Sequence, residues 1–222
     1  MTRQASLNSI DVTLTLEGLS LAGFLVVPEQ AKGLVVFAHG SGSSRFSQRN
    51  RFVAETLNGV GFATLLFDLL TPEEEEIDRG TRELRFNIEL LTDRLVGAVD
   101  WASQNEATTE LPIGLFGAST GAAAALSAAA QRVDKIAAVV SRGGRPDLAL
   151  RHLAKVKAAT LLIVGGEDDV VIQLNQQAAL QLQTEHRLEI IPGATHLFEE
   201  PGKLKQVAKL ACDWFLQHLP RP

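Results

Sequence analysis

The residues with the clearest potential for chemistry lie in the stretch Leu111–Gly121, which reads LPIGLFGASTG. A short apolar run ends there in the pentapeptide GASTG, and an alanine-rich segment follows. G-x-S-x-G between a strand and a helix is typical of a nucleophile elbow, a sharp turn that exposes a serine hydroxyl. The flanking Gly117 and Gly121 leave the room that this turn needs. We therefore predict Ser119 as a nucleophile, although the same residues also fit an ordinary strand–helix turn.

A serine hydroxyl is a poor nucleophile unless a base takes its proton and an acid orients that base. The expected order along the chain is serine, acid, histidine. His196 lies in the loop PGATHLF after a predicted last strand, Leu188–Ile191. A single loop histidine is usually a surface or capping residue, but its place after the serine and the acids indicates a catalytic base.

Three carboxylates compete for the role of the acid, because Glu167, Asp168 and Asp169 all follow the apolar run Leu161–Val164. We favour Asp168, since it lies three residues past Gly165 and precedes two valines that can anchor the loop. Asp169 and Glu167 remain alternatives, and without the serine the same residues would be read as a solvated acidic turn.

An oxyanion hole requires two backbone N–H donors. One is predicted at Thr120, directly after the nucleophile, and the other at Ser41, in the glycine-rich loop HGSGSS that follows an early strand. Such a loop could also cradle a phosphate, but the lysine of a Walker-type loop is absent. His39, which opens this loop, is a candidate substrate-binding residue.

Arg142 is a second candidate substrate-binding residue. It follows the apolar run Ile136–Val140, which places it at the carboxyl edge of the predicted sheet, beside the strand of the nucleophile. Its guanidinium could bind a substrate carboxylate or form an ion pair with an acid such as Asp147, and both interpretations stay open. The acidic run within residues 70–79 is interpreted as a solvated face, with repulsion of anionic substrates as an alternative.

The elements that must position these residues follow an α/β pattern. Residues 10–17 alternate apolar and polar side chains, and residues 21–27 form a second such segment, which predicts an antiparallel hairpin at a sheet edge. Near-continuous apolar runs, typical of strands buried on both faces of a parallel sheet, then occur at Leu34–Ala38, Ala63–Phe67, Ile113–Phe116, Ile136–Val140 and Leu161–Val164.

Helical periodicity appears between these runs. An apolar stripe from Leu84 to Ala102 belongs to a long helix that we place from Gly80, a small-residue helix covers Ala122–Ala130, and an amphipathic helix ends the chain. Alternating strands and helices predict a mostly parallel, doubly wound sheet with right-handed crossovers. Ligands in such sheets bind at the carboxyl ends of the strands, where Ser119 falls. No insertion is large enough for a helical cap domain.

Composition limits the function classes. The 222 residues are predicted to form one domain, residues 1–222, with 45% hydrophobic residues and a net charge of −5. This charge argues against a nucleic-acid partner, and the single cysteine, Cys212, excludes a disulfide framework or a cysteine-rich zinc site. Without an apparent signal peptide or membrane-spanning run, we expect a soluble cytoplasmic protein. The sequence does not indicate an oligomeric state.

Taken together, the motifs resemble those of the α/β-hydrolase superfamily and, within it, the dienelactone hydrolase-like family. The resemblance runs from about Leu34 to the C-terminus and rests on HGSGS at 39–43, GASTG at 117–121, GGEDD at 165–169 and GATHLF at 193–198. It implies Ser119 as nucleophile, His196 as general base and acid, and Asp168 as the residue that orients it. The second oxyanion donor falls on Ser41. Dienelactone hydrolases proper carry cysteine where Ser119 stands, so the resemblance implies the fold and the triad more than the dienelactone substrate.

The leading hypothesis is a serine hydrolase that cleaves a small carboxylic ester, lactone or thioester through an acyl-enzyme, with no metal or organic cofactor. A peptidase or amidase using the same triad is an alternative. A third, from a different class, is a catalytically idle α/β-hydrolase scaffold that binds other proteins.

Overall fold

The computed structural model describes residues 9–219. Its centre is one eight-stranded sheet in the order β1-β2-β4-β3-β5-β6-β7-β8, in which β1–β2 and β2–β4 are antiparallel and all other pairs are parallel. The strands are β1 Ile10–Leu16, β2 Leu19–Val26, β3 Leu34–Ala38, β4 Ala63–Phe67, β5 Ile113–Ala118, β6 Ile136–Arg142, β7 Ala159–Gly165 and β8 His186–Ile191. The predicted α/β-hydrolase architecture with an N-terminal hairpin is thereby confirmed.

Helices cover both faces of this sheet. They are α1 Gln48–Gly59, α2 Pro72–Thr81, α3 Ile88–Ala102, α4 Thr120–Gln131, α5 Leu150–Leu153, α6 Asp169–Ala179 and α7 Lys203–His218. Buried residues of α3 and α4 belong to one apolar cluster, and those of α1 and α7 to a second on the opposite face. None of the helices within residues 9–219 is long and apolar enough to span a membrane.

The parallel strands explain why the sequence shows apolar runs. Every residue of β3, β4, β5 and β7 is buried, because helices pack on both sides of these strands. Strand β1 lies at the edge of the sheet and is mostly exposed or half-buried, so its polar and apolar residues alternate. The carboxyl ends of the parallel strands therefore meet at one edge, where the loops carrying the candidate residues converge.

The segment after β4 differs from the prediction. The sequence analysis placed a loop up to Arg79 and a helix from Gly80, but residues 72–81 form α2 and the next long helix begins only at Ile88. Helix α2 begins with a capping box, in which Thr71 accepts from the Glu74 N–H and the Glu74 carboxylate accepts from the Thr71 N–H. Three glutamates in its first turn also stabilise the helix, because their negative charges interact favourably with the positive end of the helix dipole.

Cys212 lies buried on α7, as a small residue of the apolar layer would. Burial raises the pKa of its thiol to about 11, so the thiol stays protonated and unreactive at neutral pH.

Candidate active site

Ser119 occupies a strained turn directly between β5 and α4. Its φ of 52° and ψ of −117° lie in a region that residues other than glycine rarely adopt. The turn is possible because its flanking residues are glycines: a Cβ at Gly117 would lie 2.4 Å from Ala122 Cα, and a Cβ at Gly121 would lie 2.3 Å from the Ala38 oxygen. The structure therefore has the backbone geometry expected of a nucleophile elbow.

His196 and Asp168 are in direct contact, since His196 Nδ1 lies 2.6 Å from Asp168 Oδ2. His196 is in the loop after β8, and Asp168 follows β7, so neighbouring parallel strands deliver the two side chains to the same edge. Among the three adjacent acids, Asp168 is the one whose carboxylate meets the imidazole. Asp169 instead begins α6, and the backbone N–H of Glu167 donates to the Ala194 oxygen.

The segment from Arg142 to Arg145 links the serine to the histidine. Ser119 N–H donates to the Arg142 oxygen at 3.1 Å, and Arg145 N–H donates to the Ser119 oxygen at 3.2 Å. Between them, Gly143 has a φ of +52° and lies against His196, since a Cβ there would lie 3.2 Å from the His196 oxygen and 3.4 Å from its Cε1. Ser119 Oγ itself makes no hydrogen bond within residues 9–219, and in free enzymes such catalytic bonds often tighten only when substrate binds.

The glycine-rich loop after β3 lies against the nucleophile. A Cβ at Gly40 would be 3.3 Å from Ser119 Cβ, a tight contact that shows how closely the loop approaches the nucleophile. The loop turns through Gly42, whose φ is +67°, and Ser43 N–H closes the turn onto the Gly40 oxygen at 3.2 Å. The backbone N–H groups of Ser41 and Thr120 have no acceptor in the part of the chain that the structure describes, which leaves both able to bind an oxyanion.

His39 holds this loop in place through both ring nitrogens. Its Nδ1 lies 3.0 Å from the Gly40 oxygen, and its Nε2 accepts from Leu69 N–H at 3.1 Å. Both contacts require the neutral tautomer with the proton on Nδ1, and burial lowers the pKa of His39. The sequence analysis treated His39 as substrate-binding, but its nitrogens are already engaged by the backbone. The geometry gives it a positioning role for the oxyanion loop.

Because burial lowers the pKa of His39 in the folded protein, the unfolded chain binds a proton at this residue more readily below the ordinary pKa of 6.5. We expect the free energy of unfolding to fall as the pH drops below about 6.5, with His39 contributing up to about 1.4 kcal/mol per pH unit. Urea denaturation at several pH values should show that His39→Gln loses this contribution, whereas a His186→Gln control at an exposed site keeps it. Equal slopes for His39→Gln and wild type would contradict this assignment.

Arg142 ends β6, as predicted, but its surroundings exclude one of the two interpretations. Asp147 binds Arg145, with Arg145 Nε 2.8 Å from Oδ1 and Nη2 2.7 Å from Oδ2. The alternative interpretation, an ion pair between Arg142 and Asp147, is therefore wrong, because Arg145 binds that carboxylate. Arg142 is 6% exposed, and its guanidinium has no hydrogen-bond or ion-pair partner among residues 9–219.

Sequence reasoning missed a buried ion pair beside the oxyanion loop. Asp78 on α2 is fully buried and accepts from Arg85 Nε at 2.5 Å and from Leu84 N–H at 2.8 Å. A Cβ at Gly42 would lie 3.1 Å from Arg85 Nη1, so the guanidinium packs on the loop, and the hydrogen bonds from Arg85 keep the pKa of Asp78 low despite burial. Asp78 lies on α2, which ends at Thr81, whereas Arg85 lies beyond it, so the three- or four-residue spacing of helical ion pairs does not reveal this pair.

The far end of the same loop is held by Arg45. Its side chain and its backbone N–H both bind the Asp68 carboxylate, and its guanidinium packs against the rings of Phe24 and Phe46, at 5.1 and 4.3 Å from their centroids. These contacts fix the path of the chain between the oxyanion loop and α1.

Comparison with known proteins identifies a matching family model and similar solved structures. The model of the dienelactone hydrolase family matches residues 21–219. The crystal structure of a dienelactone hydrolase from Anabaena variabilis is 59% identical, with a TM-score of 0.94 over 96% of this chain and 98% of that one. Est1E from Butyrivibrio proteoclasticus, at 18% identity and a TM-score of 0.79 over 93% of this chain and 98% of that one, shares the fold.

Two curated relatives from strains of Mycobacterium tuberculosis are provisionally named phosphoribosyl transferases. Each is 61% identical over 202 residues, which make up 91% of this chain and 45% of the relative. The chain therefore spans about half the length of the curated relatives it matches.

Proposed function

The chain belongs to the dienelactone hydrolase family, and from this premise we propose that it is a serine hydrolase that cleaves a small carboxylic ester, lactone or thioester through an acyl-enzyme. The observation that carries the proposal is the 2.6 Å contact between His196 Nδ1 and Asp168 Oδ2, next to a serine on a strained elbow. That contact fixes the imidazole so that Nε2 is the atom left to take a proton from Ser119.

In the first half of the proposed reaction, Ser119 Oγ attacks the substrate carbonyl while its proton passes to His196 Nε2. The carbonyl oxygen becomes an oxyanion that the N–H groups of Thr120 and Ser41 would bind, and each such donor typically contributes about 2.7–4 kcal/mol. Collapse of this intermediate breaks the bond to the leaving group. His196 gives that group the proton, which leaves an acyl-Ser119 ester.

In the second half, water attacks the acyl carbon and passes its proton to His196 Nε2. The same two N–H groups would bind the second oxyanion, and the proton returns to Ser119 Oγ as the acid leaves. Asp168 stabilises the imidazolium that forms in each half without being protonated itself. Every proton is thus accounted for by residues of this chain and one water molecule.

The proposal does not extend to dienelactone itself, because Ser119 stands where dienelactone hydrolases proper carry cysteine. The Anabaena variabilis relative carries the name dienelactone hydrolase, but sequence motifs alone do not define the acyl and leaving groups. We also propose a cytoplasmic location. A single cysteine that is buried and unpaired fits a reducing compartment.

The proposal is tested with matched pairs of p-nitrophenyl esters and p-nitroanilides that share one acyl group, in a series from acetyl to octanoyl. We expect hydrolysis of the esters with kcat/KM at least about a hundred times that of the anilides, because the sequence offers no insertion that would bind an extended peptide. The dependence of kcat/KM on acyl-chain length would then show how long an acyl group the pocket accepts. Comparable cleavage of the anilides would indicate an amidase, and no turnover of any ester would contradict the proposal.

A further inference from the structure

Asn175 is a buried amide on α6 that the proposed reaction does not use. Its side chain is 0% exposed, and the other buried residues of α6, Val171 and Ala178, are apolar or small. Asparagine is a poor helix former, and burying its amide costs free energy unless the amide is hydrogen-bonded. The partners of the amide therefore indicate what this residue contributes to the structure.

The Nδ2 group of Asn175 joins α6 to the turn after β6. It donates to the Gly144 oxygen at 3.0 Å and to the Val171 oxygen, one turn earlier in α6, at 2.8 Å. Bonding two carbonyl oxygens requires a group with two N–H donors, so Nδ2 and not Oδ1 must face them. The bond to Val171 stays within the helix, whereas the bond to Gly144 links two separate elements of the fold.

The carbonyl of Gly144 belongs to the segment 142–145, which connects the nucleophile to the base. This segment binds the backbone of Ser119 on both sides. Through Gly143 it also lies against His196. A Cβ at Gly144 would lie 2.0 Å from a side-chain oxygen of β6, so the segment is closely packed. The carbonyl that the amide binds is therefore fixed to the part of the backbone that holds the elbow.

The other end of this link is the helix that begins at the acid. Asp168 is the N-cap of α6, and Ile172 N–H donates to the Asp168 oxygen at 2.9 Å. Asn175 follows Asp168 by seven residues, close to two helical turns, so the two residues lie on the same face of α6. A shift of α6 against the turn after β6 would therefore also shift the carboxylate that contacts His196.

We propose that Asn175 is a positioning residue of the triad, and that its bond to Gly144 fixes α6 against the segment 142–145. The amide thereby sets the place of Asp168 relative to the nucleophile and the base. It does not touch the reacting atoms and acts only through Asp168. The kinetic part of this proposal rests on the proposed function, whereas its structural part can be measured without any turnover.

Kinetics of Asn175→Leu and Asn58→Leu test the proposal in the intact protein. Asn58 on α1 is also a buried amide, and its Nδ2 donates at 3.0 Å to the Phe62 oxygen and to Thr64 Oγ1, at the amino end of β4. Only Asn175→Leu should lower kcat for a p-nitrophenyl ester, by about ten- to a hundredfold, because a misplacement of about 1 Å suffices for such a loss. KM should change by less than about twofold in both variants.

Asn175→Thr isolates the link to Gly144 and is decisive if the leucine variant does not fold. A threonine hydroxyl in a helix can donate to the carbonyl four residues earlier, as Thr92 Oγ1 does to the Ile88 oxygen at 2.6 Å in α3. The threonine variant therefore keeps a bond to Val171 but is too short to reach Gly144. It should show the same loss of kcat as Asn175→Leu, with a smaller loss of Tm.

Crystal structures of wild type and of Asn175→Thr provide the readout that needs no turnover. We expect the distance between His196 Nδ1 and Asp168 Oδ2 to exceed about 3.2 Å in the variant, beyond an ordinary hydrogen bond. An unchanged distance, an unchanged kcat, or an equal loss of kcat in Asn58→Leu would overturn the proposal. If wild type itself hydrolyses no ester, the proposed function fails, and the distance alone decides the positioning role.

Discussion

Replacement of Ser119 by alanine is expected to lower kcat for the best ester substrate by about 10³- to 10⁶-fold, because the acyl-enzyme can no longer form. The side chain removed is small and stands on a turn whose strain lies in the backbone, so the variant should remain folded. Residual hydrolysis would come from the oxyanion donors and substrate binding alone. Steady-state kinetics of the purified variant, with its Tm compared with that of wild type, measure the effect.

Ser127 provides a matched control for this prediction. It is a buried serine two turns further along the same helix α4, remote from the elbow. Ser127→Ala should change kcat by less than about twofold. Ser119→Ala retaining a tenth or more of the wild-type kcat would contradict the assignment of Ser119 as the nucleophile.

The second large effect is expected for Asp168→Asn, which should lower kcat by about 10⁴-fold. An asparagine can still reach His196 Nδ1 but would stabilise the wrong tautomer and could not balance the imidazolium charge. The change preserves size, and Asp168 makes its close contact to His196 at the end of β7, so folding should be affected little. Single-turnover kinetics with a p-nitrophenyl ester would show slowed acylation and deacylation alike.

The two acids next to Asp168 provide matched control variants for the Asp168→Asn prediction. Asp169→Asn and Glu167→Gln carry the same chemical change one residue away, and neither carboxylate contacts His196 in the described structure. Both should change kcat by less than about threefold. A larger loss in either variant than in Asp168→Asn would move the orienting role to that residue.

Much of the architecture can be predicted from the sequence, because strands buried on both faces of a parallel sheet appear as near-continuous apolar runs. The apolar runs predicted at Leu34–Ala38 and Ala63–Phe67 match β3 and β4 residue for residue. The nucleophile elbow can also be recognised from its sequence motif, since the close packing around Gly117 and Gly121 leaves no room for a side chain. In contrast, the sequence analysis did not identify the capping box of Thr71 and Glu74 and interpreted the acidic run as a solvated face, so α2 was missed.

The side-chain partners in the loops could not be derived in the same way. The choice of Asp168 over its neighbours depends on the conformation of the loop that carries three acids after β7. Hydrophobic periodicity does not predict the conformation of such a loop. Whether Asp147 binds Arg142 or Arg145 depends likewise on the path of a short turn after β6. For His39, a backbone N–H from Leu69, thirty residues away, sets the role of the ring, and only the folded chain brings the two together.

The most direct test of the central claim, that Ser119 forms a covalent acyl-enzyme, is labelling with a fluorophosphonate probe followed by intact-protein mass spectrometry and peptide mapping. The account predicts one adduct per chain in wild type, located on Ser119, and no adduct in Ser119→Ala. An unlabelled wild-type protein that is folded, or an adduct on any other residue, would contradict it.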